Sequence, residues 1–268
     1  MNLTQLREQV IAITKKTGQF IRTESQSFDP SKIEHKGVND LVSYVDKTAE
    51  EQIVAGLKEV FPDAGYITEE GTAQDKHDVY NWIIDPLDGT TNFIHGLPIF
   101  CISIALMERG EVVLGVVYEV NQDECFSATK GGGAFLNGNP IQVTKVQHLR
   151  DSLMCTGYPY TDFGLLQVYL QMLGAFMGKS HGVRRLGSAA ADLAYVAAGR
   201  FEGFFEYNLK PWDVAAGILL VQEAGGRVSQ FNGSPGDPVF GKETLATNGL
   251  IHDETCSLIG EYWNQTEK

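Results

Sequence analysis

The 268-residue chain is poor in positive charge: 21 lysines and arginines stand against 34 aspartates and glutamates, a formal net charge of −13. A general nucleic-acid or membrane-surface binder needs a basic patch, so neither role is expected. No apolar run approaches the roughly 18 residues of a spanning helix. The opening Met1-Asn2-Leu3-Thr4-Gln5 is amphipathic and unlike a signal peptide. A soluble, cytoplasmic protein is therefore expected. Only four cysteines occur, at 101, 125, 155 and 256, and no two of them are spaced like a zinc knuckle or a redox motif. Free thiols in a reducing compartment follow. Internal repeats and low-complexity stretches are absent. The 43% apolar and 21% charged content is ordinary for a globular chain, long enough for one large domain or two lobes sharing a cleft. The acidic balance leaves room for a small anionic ligand, provided metal ions invert the local potential.

Periodicity divides the chain in two. A helix is expected over 2–23, capped by Asn2, with Leu3, Leu6, Val10, Ile13, Phe20 and Ile21 as its apolar stripe. Residues 25–39 are polar and read as a loop or irregular hairpin around Asp29-Pro30. A second helix is expected over 40–60, with Leu41, Val45, Ile53, Val54 and Leu57 facing inward, and 65–68 reads as a short strand. The runs 100–107 and 112–120 read as a hairpin, 124–129 as a third strand, and Asn137-Gly138 as a tight turn. From about residue 143 the pattern changes to alternating strand and helix. Helices are expected over 163–177, 188–199, 212–224 and 250–263, with strands at 183–186, 203–207, 227–230 and 245–247. One catalytic unit results, with an antiparallel-rich α+β lobe over 1–143 and an α/β lobe over 144–268.

Chemistry is concentrated at Trp82-Ile83-Ile84-Asp85-Pro86-Leu87-Asp88-Gly89-Thr90-Thr91-Asn92-Phe93. The apolar strand is expected to stop at Asp85-Pro86, since proline has no donor for the ladder. Asp85 and Asp88 would then converge on one cation from the loop beyond. Gly89 allows close backbone approach, and Thr90-Thr91 opens a helix whose free N–H groups suit an anion. Ligands that are all oxygen favour Mg²⁺ or Mn²⁺ over zinc.

Each further residue has an ordinary reading beside a functional one. Asp-Pro-x-Asp-Gly is also turn chemistry. Glu69-Glu70 at a strand end is either surface charge or a ligand site. Asp213, in a first helical turn, is either a cap or a ligand, and Gly187-Ser188-Ala189 is either an N-cap or a pocket wall. Asp46 reads equally as an exposed helix charge, and Lys36 as a solvated loop residue.

Three motifs together resemble the inositol monophosphatases, within the lithium-sensitive, Mg²⁺-dependent phosphomonoesterases that include the fructose-bisphosphatases and bisphosphate nucleotide phosphatases. These are Thr68-Glu69-Glu70-Gly71, the stretch 82–93, and Pro211-Trp212-Asp213-Val214-Ala215-Ala216-Gly217 running on to Glu223-Ala224-Gly225-Gly226. The resemblance covers nearly the whole chain and implies a layered αβαβα sandwich. It implies that Glu69, Asp85, Asp88 and Asp213, with the Leu87 carbonyl, hold two or three Mg²⁺ ions. The resemblance further implies that Gly89 and Thr90 hold the phosphate, alongside Leu87, Asp88 and Asp213 on the substrate. By the same resemblance, Thr90 and Asp46, with Glu69, would activate water, and Gly187, Ser188, Ala189 and Glu206 would line the pocket for the alcohol. Hydrolysis of myo-inositol monophosphate by activated water is the implied reaction, with a homodimer as the implied assembly. Glu206, seven residues before Asp213, favours a polyol phosphate over a bisphosphate nucleotide or fructose bisphosphate. A non-catalytic regulatory protein that keeps the fold is the competing class. The departures from the animal enzymes are in the loop before Asp40 and in a short loop after Glu70.

Overall fold

The computed structural model describes residues 2–29, 31, 33–37, 40–158 and 163–263, with side chains for all of these except 33–37, 40 and 41. Lys36 and Leu41 therefore lie outside the described side chains. Helix α1 (Leu3–Ser25) is capped by Asn2, whose side chain accepts from Gln5 N–H. Strands β1 (Ile33–Gly37) and β2 (Asp40–Ser43) form a small antiparallel hairpin, so part of the polar segment is the irregular hairpin expected. Helix α2 (Tyr44–Val60) starts four residues later than its pattern suggests. The cause is a capping box: Ser43 N–H and Oγ both bond the Asp46 carboxylate, which leaves 40–43 extended.

The chain continues through β3 (Gly65–Thr68), β4 (Tyr80–Asp88), α3 (Thr90–Ile94), β5 (Cys101–Glu108), β6 (Glu111–Glu119), β7 (Glu124–Thr129), β8 (Gly133–Leu136) and β9 (Asn139–Ile141). These strands form one seven-stranded sheet in chain order, with only β3 and β4 parallel. Asn137 and Gly138 turn β8 into β9 with φ of 47° and 80°, the paired positive angles of a tight hairpin. The second half supplies β10 (Leu153–Thr156), α4 (Leu166–Lys179), β11 (Gly182–Arg184), α5 (Ala189–Ala197), β12 (Gly203–Tyr207), α6 (Pro211–Glu223), β13 (Arg227–Ser229), β14 (Glu243–Thr247) and α7 (His252–Trp263). Its five strands pair in the order β11-β10-β12-β14-β13. Strand β10 has only four residues and escaped the sequence pattern. Helix α4 begins at Leu166 where 163 was expected, and β11 stops at Arg184 short of 186.

The central strands β4 to β7 of the large sheet are buried on both faces, and their side chains divide by the two-residue period. Trp82, Ile84, Ile102, Ile104 and Leu106 face α1 and α2. Ile83, Cys101, Ala105 and Met107 face α5 and α6. The small sheet packs its Phe205 and Leu245 against α4 and α7. The layers are α1α2, large sheet, α5α6, small sheet, α4α7: the expected α+β sandwich. Among the described residues all four cysteines are free, and no helix is long and apolar enough to cross a membrane.

Helix α6 is held at both ends. At its C-terminus the Glu223 carboxylate accepts N–H groups from Gly131 (2.7 Å) and Gly133 (2.8 Å) in the β7–β8 turn. Midway it lies so close to the sheet that a Cβ on Gly115 would stand 2.9 Å from the Ala216 carbonyl oxygen.

His252, at the start of α7, is fully buried between Ser229 Oγ and Thr247 Oγ1, each 2.8 Å from a ring nitrogen. Burial first, and Arg227 second, push its pKa from 6.5 down to about 4. The unfolded chain therefore takes up this proton before the folded one. The neutral ring's contribution to stability is complete above pH 6.5 and is lost as pH falls through about 4. In urea titrations between these limits, His252→Gln should flatten the pH slope of stability relative to the parent protein. An unchanged slope would exclude this linkage.

Candidate active site

Strand β4 does not stop at Asp85. It runs to Asp88, with Asp85 paired to Ser103 and Asp88 to Cys101, so three steps on β4 oppose two on β5. That β-bulge takes up the missing donor of Pro86, which is why proline did not end the strand. The Asp85 carboxylate accepts the Leu87 N–H at 2.9 Å and fixes the bulge from within. Gly89, with φ of 97°, then turns the chain into the short helix α3. A Cβ there would meet the Ile99 carbonyl at 3.0 Å, so both angle and space call for glycine.

The end of β3 delivers Glu69 beside this bulge. Glu69 N–H bonds the Ile84 carbonyl at 3.2 Å, and its side chain hydrogen-bonds the Asp85 carboxyl. The loop after Glu69 is drawn onto α2 by Glu50, which is fully buried and accepts from Glu70 N–H, Thr72 N–H and Thr72 Oγ1, each at 2.8 Å. Asp46, one helical turn earlier, is 1% exposed, which excludes its reading as an exposed helix charge. Besides Ser43 it meets Thr90 Oγ1 at 2.9 Å, and the Leu87 carbonyl lies 3.0 Å from the same hydroxyl. Two acceptors thus compete for one Thr90 proton.

The far wall comes from the second half. Asp88 accepts Ser188 Oγ at 2.8 Å and the Ala190 N–H at 2.7 Å, so it docks on the first turn of α5. Ser188 also caps that helix. Asp213 sits in the first turn of α6 and accepts Lys210 N–H at 2.7 Å. Asp213 therefore both caps α6 and lines the hollow at this wall. A hollow of about 380 Å³, counting its open mouth, is lined by Asp88, Gly187, Ser188, Ala189, Glu206 and Asp213, and also by Gly157, Arg185, Asp192 and Leu209.

Electrostatics give this arrangement its character. Asp85 is 2% exposed. Burial first, then the charges of Glu69, Asp88 and Asp213, hold its carboxyl well above the ordinary range. Burial raises Asp88 to about 6 against the pull of Ala190 N–H, Ser188 and Arg185. Asp213 is raised by burial and then by Asp88, Glu206 by burial and then by Asp192, and Asp46 by burial alone. Among the described residues no three acidic, histidine or cysteine side chains stand in a closed cage ready for a metal ion. The carboxylates instead sit around Asp85 as hard oxygen donors with like charge, and Glu69 and Asp85 hydrogen-bond one another. That donor set fits a hard divalent cation, which would replace their mutual repulsion with attraction.

The structure thus gathers Glu69, Asp85, Leu87, Asp88, Gly89 and Thr90 from the large sheet, Asp46 from α2, and Ser188, Ala189, Glu206 and Asp213 from the second half. Sequence reasoning missed Glu50, Asp192 and Gly157. A Cβ at Gly157 would stand 2.0 Å from Glu206 Oε1, so glycine there is what admits that carboxylate. The only sequence signal for Glu50 was its four-residue spacing from Asp46 on one helix face.

The inositol monophosphatase family model matches residues 2–264. A putative Nus factor SuhB of Neisseria meningitidis is 44% identical over 249 residues, 92% of this chain and 95% of that protein. An inositol-1-monophosphatase of Mesorhizobium japonicum is 41% identical over 243 residues, 90% and 91% of the two chains. The solved inositol monophosphatase of Thermotoga maritima superposes with a TM-score of 0.86 at 39% identity, covering 95% of this chain and 96% of its own.

Glu50 offers a direct check on how the Glu69 loop is held. A buried hydrogen bond contributes about 0.5–1.5 kcal/mol net, and leaving a buried donor without a partner costs about 1–3 kcal/mol. Glu50→Gln should lower the denaturation midpoint and speed amide exchange at Glu70 and Thr72, while amides in β6 stay protected. Equal exchange at Glu70 and Thr72 in both proteins would mean that the loop is held by something else.

Proposed function

The chain belongs to the inositol monophosphatase family, and from that premise we propose that it is a Mg²⁺-dependent phosphatase that hydrolyses the phosphate monoester of a small polyol, with myo-inositol monophosphate as the first substrate to test. The observation that carries this reading is the crowding of Glu69, Asp88 and Asp213 around buried Asp85, beside a hollow that also holds Glu206. In this reading the two halves of the chain act as one catalytic unit, because Asp213 and Glu206 come from 144–268 and the other carboxylates from 1–143.

Glu69, Asp85, Asp88, Asp213 and the Leu87 carbonyl would hold the cations. When bound, these supply the positive charge that acidifies water and offsets charge on the transferring phosphoryl group. The protein's own part is positional. Gly89 and Thr90 present backbone N–H groups to the phosphate at the start of α3. Thr90 Oγ1 holds the attacking water, and the proton released passes through that hydroxyl to Asp46 Oδ1, its partner at 2.9 Å. Asp46 is suited to receive it, since burial already raises its affinity for a proton. As the water oxygen bonds to phosphorus, the bond from phosphorus to the ester oxygen breaks, and that oxygen leaves as the alcohol by taking a proton from solvent water. Glu206 and the Ser188–Ala189 wall orient the alcohol.

A second reading, a regulatory protein acting without catalysis, is supported by the Neisseria relative, which bears the name of a putative Nus factor. With such a relative, the acidic net charge does not suffice to set nucleic acid aside as a partner. The presence of every carboxylate together with Thr90 supports catalysis.

Phosphate release from inositol monophosphate, fructose bisphosphate and a bisphosphate nucleotide, with and without Mg²⁺, tests the proposal. Turnover should require Mg²⁺, be greatest on the inositol ester and be inhibited by millimolar lithium. Asp88→Asn should lower kcat by at least about a hundredfold, the size of effect expected when electrostatic stabilisation is removed, with its far-ultraviolet spectrum unchanged. Full Mg²⁺-dependent turnover in that variant would sink the cation assignment, and no turnover on any ester in the parent protein would favour the regulatory reading.

A further inference from the structure

Four buried side-chain atoms lack a hydrogen-bond partner among the described residues: Arg22 Nε, Tyr66 Oη, Trp82 Nε1 and Asp192 Oδ1. Only Asp192 belongs to the lining of the hollow beside Asp85. It is also the only carboxylate of the four. A buried acceptor without a donor costs about 1–3 kcal/mol, and more when it is charged. Its place in the chain needs a reason.

Helix α5 does not supply one. Asp192 is the fourth residue of that helix, where a carboxylate gains from the helix dipole, but this gain requires no burial. Asp192 is 1% exposed. The free N–H groups of the first turn are already engaged: Ala191 N–H meets Ser188 Oγ at 3.3 Å, and Ala190 N–H donates to Asp88 at 2.7 Å. The Cys155 thiol points at the Asp192 backbone carbonyl, 3.9 Å away, and at the Gly203 carbonyl, 3.5 Å away, not at the Asp192 carboxylate, and Arg185 at the rim is the cation that faces that carboxylate. Asp88 and Glu206 face it with like charge. Glu206, whose other known partner is the Gly157 N–H, shares the hollow.

Two carboxylates that share one hollow accept hydrogen bonds and repel anions. They also attract a cation, but Arg185 already faces them as one, which leaves donors without charge, on a polyol the hydroxyl groups. We propose that Asp192 is a second hydroxyl-recognising residue, acting with Glu206 to grip two hydroxyls of the alcohol half of the substrate, and thereby helps to decide which phosphate ester is used. This assignment rests on the phosphatase reading above. Arg185 offsets the charge of the carboxylate pair from the rim and leaves Asp192 Oδ1 for the ligand.

The test uses the full chain, its Asp192→Asn and Asp192→Ala variants, and saturating Mg²⁺. Substrates are inositol monophosphate, analogues lacking one ring hydroxyl at a time, and p-nitrophenyl phosphate, which has no hydroxyl for the pair to hold. Both variants should raise KM for inositol monophosphate about tenfold or more, with a smaller change in kcat. Their loss of kcat/KM on p-nitrophenyl phosphate should be at least fivefold smaller. For one deoxy analogue, parent and variant should differ by less than threefold, because the hydroxyl and the carboxylate form one interaction and their removals do not add. If Asp192→Ala does not fold, the isosteric Asn variant carries the same comparison, with thermal denaturation as the control. Equal losses on every ester would assign Asp192 to structure, and a shift in Mg²⁺ half-saturation without substrate discrimination would assign it to a cation; either overturns the proposal. A parent protein that releases no phosphate from any ester overturns the phosphatase reading itself, and this inference falls with it. A parent that turns over while the variants fail to discriminate overturns this inference alone.

Discussion

Mutual repulsion between buried carboxylates is the constraint around which this molecule is built. Asp85 is 2% exposed, and Glu69, Asp88 and Asp213 all press on it with like charge. No fold gains stability from such a cluster, since each carboxylate loses hydration and receives repulsion in return. It persists because the surrounding structure holds each member from outside. Asp88 is tied to the first turn of α5, Asp213 to Lys210 N–H, and Asp85 to the amide of its own bulge. The cluster is thereby prepared for positive charge, and the structure bears the cost of assembling it during folding.

The tethers explain why the sandwich has five layers. Glu69, Asp85 and Asp88 arise at the ends of β3 and β4, which are neighbours in one sheet. Asp213 and Glu206 arise from α6 and β12, after a long excursion through the second sheet. Only packing of α5 and α6 between the sheets can bring these sets together. Glu223, held by Gly131 and Gly133 N–H groups, ties the C-terminus of α6 to the large sheet while Asp213 at its N-terminus faces Asp88. A helix fastened at both ends fixes the carboxylate it carries, and fixed charge is what electrostatic catalysis requires.

What could be read from sequence followed from the range of the interaction involved. The α1 stripe, the β5–β6 hairpin and the Asn137-Gly138 turn depend on neighbours in the chain and were legible. The layered fold and the family were legible through three motifs, each of which is local. Two errors came from local rules overruled by a specific contact. Pro86 was expected to end β4, but a bulge absorbed it. The helix expected from residue 40 was cut back by the bonds from Ser43 to Asp46. Glu50 and Asp192 were invisible for a different reason. Each is an acidic residue on a helix, and only burial, a property of the whole fold, separates it from a solvated one.

The two halves of the chain divide the chemical task unequally. In the proposed reaction, residues from the large sheet and α2 include most of the proposed cation donors and the Thr90–Asp46 pair, and these would serve any phosphate monoester. Glu206, Gly157 and Asp192 belong to the second half, where the lining is acceptor-rich and sterically tuned: a Cβ at Gly157 would collide with Glu206. Changes confined to that half can alter which alcohol is accepted without moving a member of the Glu69–Asp85–Leu87 group. They cannot do so freely, because Asp88 leans on Ser188 and Ala190 of the same half. Selectivity and charge placement meet at the first turn of α5: Ser188 and Ala190 hold Asp88, and Asp192, one turn further on, lines the hollow beside it.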